Sequence, residues 1–221
     1  NTTGPRYPNI IMSPTTPGNT AVTAFWAQTT QYNDGNSGFG AVPGMSSGIG
    51  NSNPLYSTFP TPPLWSIPFE PFLNQITGDV YSVALALDPA NGASTGELYL
   101  LKSTDKGASW TADLSNPVYT EDIVPTGYFD SNLRFDISPD GKTMVMAFSL
   151  IIESEPGRAF LVDPNHEIAW RVSTDMGQTW GDIQRIKPSE IQNKPRPFDF
   201  ACNMSWDFDM TIDNKNRPHF L

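Results

Sequence analysis

Four charged side chains in this sequence alternate with apolar residues in two strand-like runs. Arg134 and Asp136 fall in the run Leu-Arg-Phe-Asp-Ile, and Asp207 and Asp209 fall in Trp-Asp-Phe-Asp-Met. In an extended strand, this period of two places both members of a pair on one face. A guanidinium binds anions through paired hydrogen bonds, and carboxylates bind hydroxyl groups and cations or exchange protons with a reacting group. These four residues are therefore candidates for a polar site that binds a sugar or a cation.

The same four residues also have a structural interpretation. Buried charges need partners, so the pairs on the two strands could form ion pairs or turn hydrogen bonds between neighbouring sheets. The Asp-x-Asp spacing of residues 207–209 is too common to indicate a calcium site. Both interpretations stay open on the sequence.

Metal and cofactor chemistry has little support in the sequence. His166 and His219 are its two histidines, and Cys202 is its one cysteine. Neither histidine has a second His or a Cys at the spacing typical of zinc ligands. One cysteine also excludes an internal disulfide framework. We expect no cofactor and no metal site.

The composition indicates many short strands instead of helices. The 221 residues include 17 Gly and 21 Pro, and no amphipathic helical stretch exceeds about two turns. The hydrophobic fraction of 38% is enough for a packed core.

A net charge of −10 with scattered Lys and Arg disfavours nucleic acids and anionic membranes as partners. No run reaches the ~20 apolar residues of a membrane-spanning helix, so we expect no direct membrane insertion.

Two segments of the chain are near copies, 70 positions apart. Both follow the pattern Ser-Thr-Asp-x-Gly-x-(Ser/Thr)-Trp after a strand-like run, which predicts a hairpin turn. In such a turn the Asp carboxylate accepts backbone N–H groups, the Gly supplies a positive φ, and the Trp packs back as an apolar lid. The pattern residues are Ser103, Asp105, Gly107, Trp110, Ser173, Asp175, Gly177 and Trp180.

A second repeat lies outside these hairpins. Residues 13–25 resemble residues 138–148, and residues 210–221 resemble the start of a further copy. Each copy reads as a strand, a polar turn and a second strand. An inner hairpin followed by a hairpin of the first kind makes a four-stranded antiparallel unit, which is the form of a propeller blade.

Together the repeats resemble those of the Asp-box, or bacterial neuraminidase repeat, β-propellers, a sialidase-like group that includes sialidases and many exported proteins. The resemblance covers about residues 1–30 and 80–221. It implies an all-β propeller of four-stranded antiparallel blades with Asp-box hairpins. In that family the box lies on the outer rim of a blade, away from the central site. The motif therefore indicates the fold and not the activity.

We expect residues 1–221 to form part of such a propeller, with about two to three blades. The first blade would span about 1–125 with a Gly- and Pro-rich insertion at about 30–80. The second would span about 130–200, and a further blade would begin at about 204–221. Aromatic residues in the insertion indicate that it packs on the propeller, as a structural cover or, in the alternative, as a binding loop.

The resemblance to sialidases implies two weak catalytic candidates. Sialidases hydrolyse glycosides with an arginine triad, an Asp acid/base and a Tyr nucleophile paired with a Glu. Arg6, followed by Tyr7-Pro8, matches the family's first-strand Arg-Ile-Pro element with one mismatch. Asp34 stands loosely where the acid/base would follow, although its Asn-Asp-Gly-Asn surroundings are also typical of a turn. The family's other catalytic residues fall in later blades.

The sequence thus predicts a non-catalytic, secreted or cell-surface propeller that binds a protein or a glycan or serves a structural role. The start at Asn1 fits a mature exported protein, and the run from Arg6 through the glycine-rich segment is similar to large cell-surface propellers of gliding bacteria. The alternative is a sialidase-like exo-glycoside hydrolase with its other catalytic residues in further blades. For the fold, we expect Asp105 and Asp175 to occupy equivalent turns.

Overall fold

The computed structural model is all-β, and the residues that it describes contain no helix. The residues described in full are 60, 71–91, 93–105, 109–120, 133–150, 167–186 and 208–220. Backbone alone is described for the other strand residues, within 5–13, 21–32, 36–42, 55–56, 64–65, 127–132, 151–152 and 165–166. The chain divides into unit 1, residues 1–119 with 139–141, and unit 2, residues 120–138 with 142–221. The prediction of an all-β fold is confirmed.

Unit 1 contains two antiparallel sheets. The first has four strands in the order β1-β2-β3-β4, and the second has five, in which β5-β7-β8-β9 follow in order and β6 also pairs with β7. The strands are β1 (Pro5–Ser13), β2 (Ala21–Tyr32), β3 (Asn36–Val42), β4 (Leu55–Tyr56), β5 (Leu64–Trp65), β6 (Phe72–Leu73), β7 (Val80–Leu87), β8 (Ser94–Ser103) and β9 (Thr111–Ala112).

Unit 2 contains a four-stranded antiparallel sheet in the order β10-β11-β12-β13 and a two-stranded antiparallel sheet of β14 and β15. The strands are β10 (Gly127–Ile137), β11 (Met144–Ile152), β12 (Asn165–Ser173), β13 (Gln184–Ile186), β14 (Met210–Ile212) and β15 (Pro218–Phe220). In both sheets of unit 2, strands that are neighbours in sequence are also neighbours in the sheet, as in an antiparallel meander.

The central strands β7 and β11 are buried on both faces. Val83 and Ala84 in β7 are 0% exposed, as is every residue from Val145 to Phe148 in β11. Because consecutive side chains of a strand point to opposite faces, each of these sheets is covered on both sides. In unit 2 part of this cover is Phe208 and Met210, which pack with the apolar face of β11. The same cluster holds β14 against the four-stranded sheet.

The segment 30–80, expected as an insertion within one blade, supplies strands to two sheets. β3 and β4 complete the first sheet, and β5 and β6 belong to the second, so the range 1–125 holds two sheets. These strands are hard to recognise in the sequence, for two physical reasons. β3 reads Asn-Ser-Gly-Phe-Gly-Ala-Val, in which glycines weaken the strand pattern. β4, β5 and β6 have two residues each, which is too short for a visible period.

The β10–β11 and β14–β15 turns are closed in the same way. The N–H of Ser138 donates to the carbonyl of Thr143 at 2.8 Å, and the N–H of Asp213 donates to the carbonyl of Arg217 at 3.0 Å. Each turn is also capped by the side chain that opens it, since Ser138 Oγ accepts the Thr143 N–H and Asp213 Oδ1 accepts the Arg217 N–H. The two hairpins are therefore equivalent, as residues 138–148 and 210–221 suggest.

In unit 1, the buried side chain of Asn74 ties the turn between β6 and β7 to Gly141. Asn74 Oδ1 accepts the N–H groups of Ile76 at 3.0 Å and Thr77 at 3.2 Å, and its Nδ2 donates to the Gly141 carbonyl at 2.7 Å. Gly141 has a φ of 73°, and a Cβ at this position would lie 2.6 Å from Asn74 Oδ1. Both the backbone conformation and the close approach therefore require glycine here.

Candidate binding site

Two aspartate hairpins, defined as residues 103–110 and 173–180, follow the ends of β8 and β12. In the second, Asp175 Oδ1 accepts the Thr179 N–H at 2.9 Å and the Ser173 hydroxyl at 2.7 Å. Asp175 Oδ2 accepts the Thr179 hydroxyl at 2.6 Å. One carboxylate thus bonds to residues at both ends of the turn.

The first aspartate hairpin has the same bonds. Asp105 Oδ1 accepts the Ser109 N–H at 2.8 Å and the Ser103 hydroxyl at 2.8 Å, and Asp105 Oδ2 accepts the Ser109 hydroxyl at 2.5 Å. Gly107 lies outside the described residues. Asp105 and Asp175 therefore accept a backbone N–H from the residue four positions ahead in equivalent turns.

Each aspartate hairpin ends on a buried tryptophan. Trp110 is 3% exposed and packs with Val80, Tyr99 and Leu101, and Trp180 is 8% exposed. In the second hairpin the turn is made by Met176 and Gly177 at φ values of 60° and 82°. The left-handed backbone of this turn explains the glycine of the pattern.

Hydrogen bonding keeps both hairpin carboxylates ionised. The hydroxyl and N–H of Thr179, followed by the hydroxyl of Ser173, lower the pKa of Asp175 to about 2. For Asp105, burial acts to raise the pKa, but the bonds from Ser109 and Ser103 outweigh it and the pKa is lowered. A carboxyl held in this way is a structural anion and a poor proton donor at neutral pH.

Three described residues of the polar pairs and the nearby Thr211 form a group in unit 2 that we call the polar ladder. Arg134 and Asp136 lie on β10, Asp209 immediately precedes β14, and Thr211 lies on β14. Asp136 Oδ2 accepts the Ile212 N–H at 2.9 Å and the Thr211 hydroxyl at 3.3 Å. Its Oδ1 accepts an N–H from its own strand at 2.8 Å. Asp136 thus joins β10 to β14.

The other rung of the polar ladder reaches solvent. Arg134 Nε lies 3.8 Å from Asp209 Oδ1, and the side chains are 33% and 74% exposed. The guanidinium is positioned by Nη1, which donates to the Leu133 carbonyl at 3.0 Å, and by the Phe208 ring, whose centroid lies 5.8 Å from Arg134 Cζ. Asp209 Oδ1 also accepts the Met210 N–H at 2.8 Å. A cation and an anion therefore stand side by side at the surface.

The structure brings three of the four predicted ligand-binding residues together, Arg134, Asp136 and Asp209, and divides them between two tasks. Asp136 takes the structural role, and the other two form the exposed pair. Asp207 and the catalytic candidate Asp34 lie outside the described residues. Arg6 lies in β1 opposite Ala27, and its side chain is likewise outside the description.

Sequence reasoning missed Thr211 and Phe208. Both lie in the alternating run Phe-Asp-Met-Thr-Ile, where Thr211 shares the exposed strand face with Asp209. Extending the period of two by one step would have found Thr211. Phe208 is 5% exposed and carries the guanidinium of Arg134 on its ring, a contact that a strand pattern does not encode.

Two further charged clusters were also missed. In unit 1, Lys102 Nζ lies 2.8 Å from Asp79 Oδ2 and 5.6 Å from the centroid of the buried Tyr81 ring. In unit 2, Asp213 Oδ2 accepts hydrogen bonds from Arg217 and lies 3.0 Å from His219 Nε2. Bonds from Arg217, and next from His219, hold the pKa of Asp213 well below its ordinary range. The first cluster joins β8 to the start of β7. The second cluster closes the turn between β14 and β15.

Arg134 and Asp209, the exposed pair of the polar ladder, can bind hydroxyl groups as a donor and as an acceptor. Guanidinium N–H groups donate to a hydroxyl oxygen, and a carboxylate accepts from the hydroxyl proton, with both bonds strengthened by charge. Among the described residues, no three His, Cys, Asp or Glu side chains are grouped to hold a metal ion. No helix in the described part of the chain could cross a membrane.

Comparison with solved structures finds glycoside hydrolases with a similar fold. The α-L-arabinofuranosidase from Fusarium graminearum, in complex with an iminosugar inhibitor, aligns at 14% identity and a TM-score of 0.50, covering 82% of this chain and 50% of that enzyme. A point mutant of that enzyme aligns at 13% identity and a TM-score of 0.51 with the same coverage. A Hadza microbial sialidase aligns at 17% identity and a TM-score of 0.48, covering 79% of this chain and 36% of that one.

No protein-family model matches the sequence, and no curated protein matches it. At these identities the structural likeness establishes the fold alone, which is that of the β-propeller hydrolases. The chain spans about half of the arabinofuranosidase, 50% of its length, which agrees with a few blades. The prediction of a β-propeller with four-stranded antiparallel blades is confirmed.

Proposed function

We propose that this chain is part of an exported, non-catalytic β-propeller module that binds a glycan through Arg134 and Asp209. The observation that carries the proposal is the exposed ion pair between Arg134 on β10 and Asp209 immediately before β14, at the first strands of the two sheets in unit 2. In a propeller these strands surround the central channel. Sugar hydroxyls suit a donor and an acceptor that stand together.

A glycan is favoured over a protein as the partner because the described surface offers little apolar area. Ile76, Leu114 and Met176 are the large hydrophobic side chains that are exposed there, and they are scattered along the chain. Protein interfaces are usually centred on buried aromatic and apolar anchors. A small polar site that offers a donor beside an acceptor suits a sugar better.

The pKa values of four described carboxyls indicate structural roles for those four side chains. A glycoside hydrolase needs a general acid whose pKa is raised, so that it holds a proton to give to the leaving group. Four described carboxyls have a clearly shifted pKa, and hydrogen bonds lower it in all four: Asp105, Asp113, Asp175 and Asp213. These four side chains suit structural anions.

We assign the two aspartate hairpins to the Asp-box type, with a structural role on the blade rim. Their carboxylate bonds and their buried tryptophans support this assignment. The resemblance to exported propellers supports a secreted or cell-surface location. Recovery of the protein in the medium or in a surface-protease-sensitive fraction of its source cells tests that location, and recovery only in a protected interior fraction would contradict it.

Binding of the intact protein to a printed array of oligosaccharides tests the proposed function. We expect selective binding that Arg134→Ala weakens by about tenfold or more. Asp182→Asn, which removes an exposed charge elsewhere in unit 2, is the matched control and should leave binding unchanged. An array with no bound glycan, together with capture of a surface protein, would replace the glycan with a protein partner.

A glycoside hydrolase is the second candidate, and the structural similarity to an arabinofuranosidase favours it. In this alternative Arg6 and Asp34 would contribute to catalysis, and the other catalytic residues would lie outside this chain. Assay of the intact protein on nitrophenyl arabinofuranoside and on a fluorogenic sialoside tests it. Turnover that is abolished by Asp34→Asn would establish the hydrolase and overturn the non-catalytic role.

A further inference from the structure

We propose that the exposed rung of the polar ladder recognises a neutral, hydroxyl-rich sugar and discriminates against carboxylated sugars. This inference rests on the proposed function, since it specifies the ligand class of the same site. The observation behind it is the position of the Asp209 carboxylate beside the Arg134 guanidinium.

The guanidinium of Arg134 is held at one place beside an anion. The Leu133 carbonyl and the Phe208 ring position it, and Asp209 Oδ1 lies 3.8 Å from Arg134 Nε. Site rigidity of this kind favours a ligand that fits the existing arrangement over one that must displace a partner. A carboxylated ligand would compete with Asp209 for the same guanidinium.

The charge of the site disfavours an incoming anion. Arg134 and Asp209 together carry no net charge, and the carboxylate is the more exposed partner, at 74% against 33%. A ligand carboxylate would therefore meet a like charge at the surface. The net charge of the chain, −10, adds repulsion at longer range and at low salt.

A neutral diol does not have to displace Asp209 from the guanidinium, and it carries no charge that Asp209 would repel. One hydroxyl oxygen accepts from the guanidinium while a neighbouring hydroxyl donates to Asp209, so that both charges keep a hydrogen-bond partner. Asp136, the other carboxylate of the polar ladder, does not compete for these hydroxyl groups, because it already accepts hydrogen bonds from Ile212 and Thr211. Among the described residues, the exposed rung thus offers the ligand a donor group in Arg134 and an acceptor group in Asp209.

The experiment compares each neutral oligosaccharide with its counterpart that carries one sialic or uronic acid. Titration of the intact protein with such pairs should show about tenfold or greater preference for the neutral member. Asp209→Asn keeps the shape of the side chain and removes its charge. We expect this variant to lose the preference, with weaker neutral binding and stronger binding of the carboxylated member.

Asp182→Asn makes the same change in net charge and should leave the preference intact. Unchanged thermal midpoints show that the variants are folded. A wild-type preference for the carboxylated member, or an unchanged ratio in Asp209→Asn, would overturn this inference alone. Failure of every glycan to bind would overturn the proposed function and this inference with it.

Discussion

Asp175 is the side chain whose ionisation most directly stabilises an aspartate hairpin. Its pKa is about 2 in the folded chain, lowered first by Thr179 and then by Ser173, against ~3.9 for an ordinary Asp. The unfolded chain therefore takes up the proton more readily. The stabilisation is complete above the ordinary pKa and is lost as the pH falls toward about 2.

We expect Asp175→Asn to lower the free energy of unfolding at neutral pH, because the amide has one acceptor oxygen where the carboxylate uses two, for the Thr179 N–H and for the Thr179 hydroxyl. The gap between wild type and variant should narrow as the pH falls from about 5 to about 2. Urea denaturation across that range measures it, with Asp182→Asn as the control for loss of an exposed charge. A gap that is constant with pH would show that the carboxylate charge is not what the hairpin uses.

The predictability of single residues follows the sequence distance to their partners. Asp105 and Asp175 could be placed from the sequence because their partners lie within four positions and the pattern repeats. Thr211 could not be placed, since its partner Asp136 lies 75 positions away. Contacts of that length depend on how two sheets meet, which local spacing does not encode.

At the scale of elements, the turn between β10 and β11 depends on a glycine with no room for a side chain. In Gly141→Ala the left-handed φ costs about 1–2 kcal/mol, and the clash with Asn74 and Ile76 adds about 1–3 kcal/mol. We expect a large loss of stability, measurable by chemical denaturation.

Gly78 provides the matched control for this substitution. Its φ is 78°, and a Cβ built there has no neighbour within 4 Å. Gly78→Ala should therefore show the backbone cost alone, and the difference between the two variants measures the close approach to Asn74. Equal losses in both variants would contradict the role of that contact.

The junction of β10 and β14 is expected to depend on Asp136. Asp136→Ala leaves the buried Ile212 without its described N–H acceptor, at a cost of about 1–3 kcal/mol. Hydrogen exchange at the Ile212 amide should become faster. Thr211→Val removes only a hydroxyl donor and should cost about 1 kcal/mol or less. Unchanged Ile212 exchange in Asp136→Ala would exclude this junction as a support of β14.

Strands were predictable where they carry a repeat and obscure where they do not. β8 and β12 end at Ser103 and Ser173, where the pattern predicts the hairpins to begin. Between residues 30 and 80 no repeat is visible, and glycine-rich or two-residue strands leave no period to detect. Sheet pairing with longer strands determines these elements.

For the whole molecule, self-comparison of the sequence predicted the all-β propeller fold class through its recurring hairpins. The repeat marks only hairpins that recur, whereas the sheet of β1 to β4 has no recurring aspartate turn and went unrecognised as a sheet of its own. The blade boundaries predicted at about 1–125, 130–200 and 204–221 stay predictions. The sequence pattern singles out Arg134, Asp136 and Asp209 as polar strand residues, but their contacts depend on how two adjacent sheets meet and could not be predicted from it.

The aspartate hairpins also bear on the order in which the chain folds. Asp175 bonds to Thr179 across four positions, whereas Asp136 bonds to Ile212 across 76. Closing a short loop loses less chain entropy than closing a long one and is faster. We therefore expect the hairpins to form early and the β10–β14 junction late. Pulse-labelled hydrogen exchange during refolding should protect the Thr179 amide before that of Ile212, and the reverse order would show that long-range docking comes first.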